Sequence, residues 1–322
     1  MRRSSILPAL LLLAPIALFA SVDSDLLTLV PPGAKTVASI DVARAQSSAF
    51  GQFVLTRMNQ DDQHLDQLAE QTGFDPRRDL QHVIFASFGP SSSGQGSFAV
   101  LGRGIFDTAR ISSTARSNGS SIRAYNSWSI ITSKAGEKGA TGLVFPQADV
   151  AIFGDLATVE AILDNSTAPA PFDPQLQQLI NTVGAKNDAW FASIIPGDSF
   201  TRHFAVPNQP PTGQAQAQAV QSIRQSCGGI HFGDSVDVSL NAVTRSPRDA
   251  TSLADVVRFG ASFIQMQRTK DQRASVMADA LDKMTLTADG SNMHLALSLP
   301  EKDMEQLAQL GPHGHTQDSD VF

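Results

Sequence analysis

The chain has 322 residues, 42% of them hydrophobic and 17% charged, enough apolar side chain for one large domain or two smaller ones. Its formal net charge of −7 excludes the Lys/Arg footprint on which nucleic-acid binding rests. A single cysteine, Cys227, excludes an intramolecular disulfide and any multi-cysteine metal site.

The chain starts with the basic pair Arg2-Arg3, followed by an uncharged apolar run over 6–20 that holds Pro8 and Pro15. A membrane-spanning helix needs about 20 apolar residues, so this shorter run predicts a secretory signal over 1–20, cleaved after Ala20. No cysteine lies directly after it, which excludes a bacterial lipoprotein anchor. Loss of 1–20 removes two arginines and no acid, leaving 22 basic against 31 acidic residues, a charge of −9. No later stretch is long and apolar enough to span a bilayer. The expected location is periplasmic or secreted, with no membrane span after cleavage.

Alternation of apolar and polar residues predicts a strand over 35–42, and helical spacing follows over 43–58 and 61–72. Apolar runs over 82–88 and 97–103, separated by a Gly/Ser loop, form a hairpin. A helix over 107–118 leads to hairpins 121–132 and 141–153 and to a short helix over 156–163. Ala168-Pro169-Ala170-Pro171 then breaks the pattern and divides a unit 21–167 from a unit 168–310. Beyond it come a helix over 174–183, a strand over 190–195, a proline-rich loop over 206–213 and a Gln/Ala-rich helix over 214–225. Hairpin 228–243, the long helix 246–270, hairpin 284–299 turning at Asp289-Gly290, and a helix over 300–310 complete the series. The tail 311–322 has little to bury and is expected to be disordered.

Asp75-Pro76, Asp107-Thr108, Asp173-Pro174 and Ser246-Pro247 read as helix caps, not as catalytic groups. The order strand, helix, hairpin, helix, hairpin occurs over 35–132 and again over 190–299. The expected fold is α+β: two tandem related units of mainly antiparallel sheet with helices packed on one face.

The chemistry-bearing motif is Phe232-Gly233-Asp234-Ser235, which resembles the nucleophile block of GDSL-type esterases. A serine hydrolase of that kind would use Ser235 with His231 or His294 as base. The Gly-x-Asn-Asp and Asp-x-x-His blocks of that family do not follow, and a turn between two strands explains the motif without chemistry. His313-Gly314-His315 lies on the tail, and no metal or cofactor site is expected. Cys227 reads as a packed thiol.

There are 18 phenylalanines against Trp128, Trp190 and Tyr125, a balance that suits cores and apolar pockets more than polar recognition surfaces. In the long helix Leu253, Val256, Val257, Phe259, Gly260, Phe263, Ile264 and Met266 make a broad apolar face. Either the sheet covers that face or it meets a partner. Sheet cover is the expectation, with Phe263 buried.

Leu29-Val30-Pro31-Pro32-Gly33-Ala34 before Ile40-Asp41-Val42, the run from Phe74 to Leu80, and Ala288-Asp289-Gly290 before a closing strand are structural punctuation. In these the chain resembles exported proteins of soil-type bacteria, a class that implies no activity and no active residues. The function expected is an exported, soluble, non-catalytic binding or interaction module for an unknown protein or an apolar small ligand. The secreted hydrolase built on Ser235 is the alternative.

Overall fold

The computed structural model describes residues 23–48, 50–52, 55–56, 63–90, 96–133, 139–167, 169–199, 211–269, 272–300, 302–303 and 306. The expected signal, the tail and most of the closing helix lie outside the described residues. The strands are β1 (Thr36–Asp41), β2 (Leu80–Pro90), β3 (Gly96–Gly104), β4 (Ser121–Tyr125), β5 (Trp128–Thr132), β6 (Thr141–Gln147), β7 (Val150–Asp155), β8 (Ala189–Ser193), β9 (Ile223–Phe232), β10 (Ser235–Thr244), β11 (Thr285–Asp289) and β12 (Asn292–Pro300). The helices are α1 (Ser24–Thr28), α2 (Val42–Ser47), α3 (Gln63–Thr72), α4 (Pro76–Asp79), α5 (Thr108–Ser117), α6 (Leu156–Thr167), α7 (Pro174–Val183), α8 (Pro211–Gln221), α9 (Pro247–Met266) and α10 (Gln272–Asp282).

The caps sit where the sequence places them. Asp75 accepts from the Arg77 amide at 3.0 Å, Asp107 from Arg110 at 3.0 Å and Asp173 from Gln175 at 2.9 Å. Ser246 Oγ accepts from the Asp249 amide at 3.2 Å. The run from Phe74 to Leu80 is a closed local device. Asp75 also pairs with Arg77, and Asp79 accepts the Asp75 amide at 2.8 Å while pairing with Arg78. The Arg77 hydrogen bond holds the Asp75 carboxyl below its ordinary range against a smaller effect of burial.

All twelve described strands belong to one antiparallel sheet in the order β11-β12-β10-β9-β8-β1-β2-β3-β7-β6-β5-β4. The two stretches of sequence therefore meet inside the sheet, where β1 pairs with β8 from Thr36↔Ser193 to Ile40↔Ala189. Outward from that pair the orders agree through a third strand, β3 on one side and β10 on the other. Next to β3 lies the hairpin β6–β7, and next to β10 lies β11–β12. The expected match of 121–132 with 284–299 thus fails strand for strand: β4–β5 is an edge hairpin, and 141–155 holds the corresponding place.

The α+β class and antiparallel sheet are as expected, but the helices divide between the faces. Alternation puts Val37, Ile84, Leu101, Ile152 and Trp190 on one face. There they form the main core with Leu26 of α1, Val159 and Ile162 of α6, and Leu176 and Ile180 of α7. A smaller core on the opposite face joins Leu253 and Ala254 of α9 to Ala242 and Met293. Helices α3 and α5 bring Leu68 and Ile111 to that second face beside Val100 and Phe153. The reason is visible in β2, where Val83-Ile84-Phe85-Ala86 is apolar on both sides and needs cover on both.

Candidate functional site

Between the helices on the second face, no described helix covers the middle of the sheet. A trough of about 510 Å³ crosses β2, β1, β8, β9, β10 and β12, lined by Ala38, Ile40, Phe85, Phe191, Ile230 and Leu240. Strand spacing makes that roughly 24 Å across. It meets a second hollow of about 330 Å³ at Val83, which runs under α3 and α5 past Phe153. Phe85 and Phe153 stay 38% and 42% exposed, a high figure for large apolar side chains. Phe98 joins them into an aromatic row, 6.4 Å from Phe85 and 6.3 Å from Phe153 between ring centroids. A Cβ at Gly228 would come 2.9 Å from the Phe191 ring, so glycine there leaves room for that ring in the floor. Chemically the trough offers shape and apolar surface and almost no polar group.

The long helix is covered over its first half. Its second half turns Phe259, Phe263 and Met266 to the outside, with Met266 73% exposed. The expectation that Phe263 is buried is corrected. The smaller core reaches as far as Val256, and helix α10 packs on α9 without covering the Phe259–Phe263 side.

Ser235, His231 and His294 all lie on the first face of the C-terminal strands. Ser235 Oγ donates to Asp237 Oδ1 at 2.9 Å, and Ser298 also approaches it at 3.3 Å. His231 is the cross-strand partner of Asp237, and its Nδ1 is 2.8 Å from the buried Asp188 carboxylate. His294 Nδ1 is hydrogen-bonded to Asn241 at 2.7 Å, six residues along β10 from Ser235 and so about 20 Å away. No hydrogen bond links Ser235 to either histidine among the described residues. Cys227 faces the main core, 2% exposed, and burial raises its thiol pKa, which makes it a poor nucleophile.

A serine–histidine hydrogen bond exists elsewhere, unforeseen from sequence. Ser39 Oγ and His82 Nε2 are 2.7 Å apart, both buried. They come from neighbouring strands forty-three positions apart in sequence, and no local spacing announces them. Burial lowers the His82 pKa, opposed by Asp23 and Asp41 nearby. The trough was equally hidden. Its residues are the odd-looking second face of an apolar run, and the run alone does not say which side is left uncovered.

No family model matches the chain, and no curated protein matches it. Among solved structures, crystal form I of TP0453 is similar at a TM-score of 0.45 and 10% identity, over 88% of this chain and 96% of that one. A likeness of that size carries no functional argument. No described helix is long and apolar enough to cross a membrane.

Proposed function

We propose that the protein is an exported, non-catalytic binding module whose trough takes a small ligand with an extended aliphatic part. The observation that carries this reading is the bare apolar floor between Phe153 and Leu295. Apolar surface left in water is costly, and a contiguous exposed patch usually marks a binding site. Each methylene covered contributes about 0.8 kcal/mol before ordering costs. The basic start and apolar run over 1–20 support export, and the mature chain should begin near Ser21 on N-terminal sequencing. Ser235, bonded to Asp237 and not to an imidazole, supports binding over the hydrolase alternative.

The test is titration with a series of straight-chain fatty acids from eight to sixteen carbons. Affinity should rise up to about fourfold per methylene until the trough is full. Phe85→Glu should weaken every member by at least about tenfold while leaving the fold intact, because it sets a charge in the floor. Affinity independent of chain length, or equal binding by the variant, would reject the reading.

A further inference from the structure

The first face of the C-terminal strands holds another cavity, of about 550 Å³, with chemistry opposite to that of the trough. Its floor is Asp237, Ser239 and Asn241 of β10 with His294 and Ser298 of β12. Lys186 after α7 and Lys283 before β11 flank it. These strand positions correspond in face to Leu101 and Ile152, which α6 covers in the N-terminal half. Here α7 reaches only the rim, with Thr182 and Val183, and the polar groups are organised.

Two of the chain's seven lysines and two of its seven histidines line this cavity, while Asp237 is its one acidic lining residue, in a chain of net charge −7. That acid is already engaged, since its Oδ1 accepts from Ser235 at 2.9 Å and Ser298 at 2.5 Å. Lys283 shares its charge with Asp303 at 2.8 Å, whereas Lys186 has no ion pair among the described residues. The two imidazoles are placed differently at Nδ1. His294 is bonded to Asn241 at 2.7 Å, and His231 lies 2.8 Å from Asp188. The Asp188 side chain is 0% exposed and is itself fixed by the Phe232 amide at 2.7 Å and by Arg44 at 3.2 Å. With Nδ1 of His294 donating to the Asn241 oxygen, its Nε2 is left as an acceptor.

We infer that this cavity binds a small polyhydroxylated anion, a sugar carboxylate or a sugar phosphate. Lys186 and Lys283 take the charged group, and His294 Nε2 accepts from a hydroxyl. Ser239, Asn241 and the remaining Asp237 oxygen take the hydroxyls, which need acceptors as well as donors. The inference is independent of the trough, which lies on the other side of the sheet.

Calorimetric titration of the full chain with gluconate, glucose 6-phosphate, glucose and inorganic phosphate tests it. Saturable heat is expected with gluconate or glucose 6-phosphate, and which of the two is tighter identifies the anion. Glucose, which lacks the charge, should bind at least about tenfold more weakly, the loss of one charge-assisted contact, and inorganic phosphate, which lacks the hydroxyls, should bind more weakly than glucose 6-phosphate by a similar factor. Lys186→Gln and His294→Gln, both at accessible positions, should each weaken the best probe by a similar factor with melting unchanged. No saturable heat with either acid, equal binding of inorganic phosphate, or undiminished binding by both variants would overturn the inference.

Discussion

The N-terminal and C-terminal parts of the sheet share one register and differ in cover. In β2 and β3, Ile84 and Leu101 point into the main core while Val83 and Val100 point under α3 and α5 or into the trough. Both sides of these strands are apolar. In β10 the sequence alternates, with Val236, Leu240 and Ala242 toward α9 or its neighbours and Asp237, Ser239 and Asn241 toward the polar cavity. Strand composition thus records how many layers lie over it. The trough falls at the join, where the apolar second face continues from one part to the other but the described helices of neither part reach.

The largest expected effect breaks the two-sided core. Ile152→Ala, at a side chain with 0% exposure, should cost about 2–5 kcal/mol, transfer plus cavity. Thermal melting should fall by several degrees, and an unchanged midpoint would show that the main core is not where stability resides.

A smaller effect tests the polar pair inside that core. With its pKa lowered by burial from the ordinary 6.5, His82 is protonated more readily in the unfolded chain than in the folded one. Its contribution is therefore present above about pH 6.5 and is lost as pH falls toward the folded value. Wild-type denaturation midpoints should drop between pH 7 and pH 5, and His82→Gln should flatten that slope. A slope identical in the variant would place the titration elsewhere.

The smallest effect belongs to the outer end of α9. Phe263→Ala removes a side chain that is 53% exposed, so stability should change by no more than about 0.5 kcal/mol. Melting and sedimentation measured together sharpen the comparison. A clear loss of stability would mean that the second face is covered farther than Val256.

The hairpins and helix starts were legible because their signals are local. Asp289-Gly290 closes β11 onto β12, with Gly290 at φ 52°, and Asp107 caps α5 as read. Long-range order was not legible. Nothing in 121–132 distinguishes an edge hairpin from one that lies beside β3, since both alternate in the same way. Residues 214–225 are rich in Gln and Ala and carry no breaker, so the pattern carries a helix through Ile223, where β9 already begins. Phe263 misled for a physical reason: helical spacing reports that a face is apolar, not whether another element reaches it. The polar cavity was partly visible, since Ser235, His231 and His294 all proved to share its face, although no spacing rule assembled them with Lys186.

The pairing of β1 with β8 makes the first strand wait for the eighth. Thr36 and Ser193, whose hydroxyls lie 2.7 Å apart, are separated by 157 positions, so the centre of the sheet is also its longest loop closure. Such a contact is slow to form and late to reward the chain. Until it forms, β1 and β8 are both open edges able to recruit a strand from another molecule. A single proteolytic cut within 169–173 would leave two fragments whose shared hydrogen-bonded seam is the five residue pairs between these strands. Recombination of the fragments would then report directly on how strongly the middle of the molecule holds its two ends together.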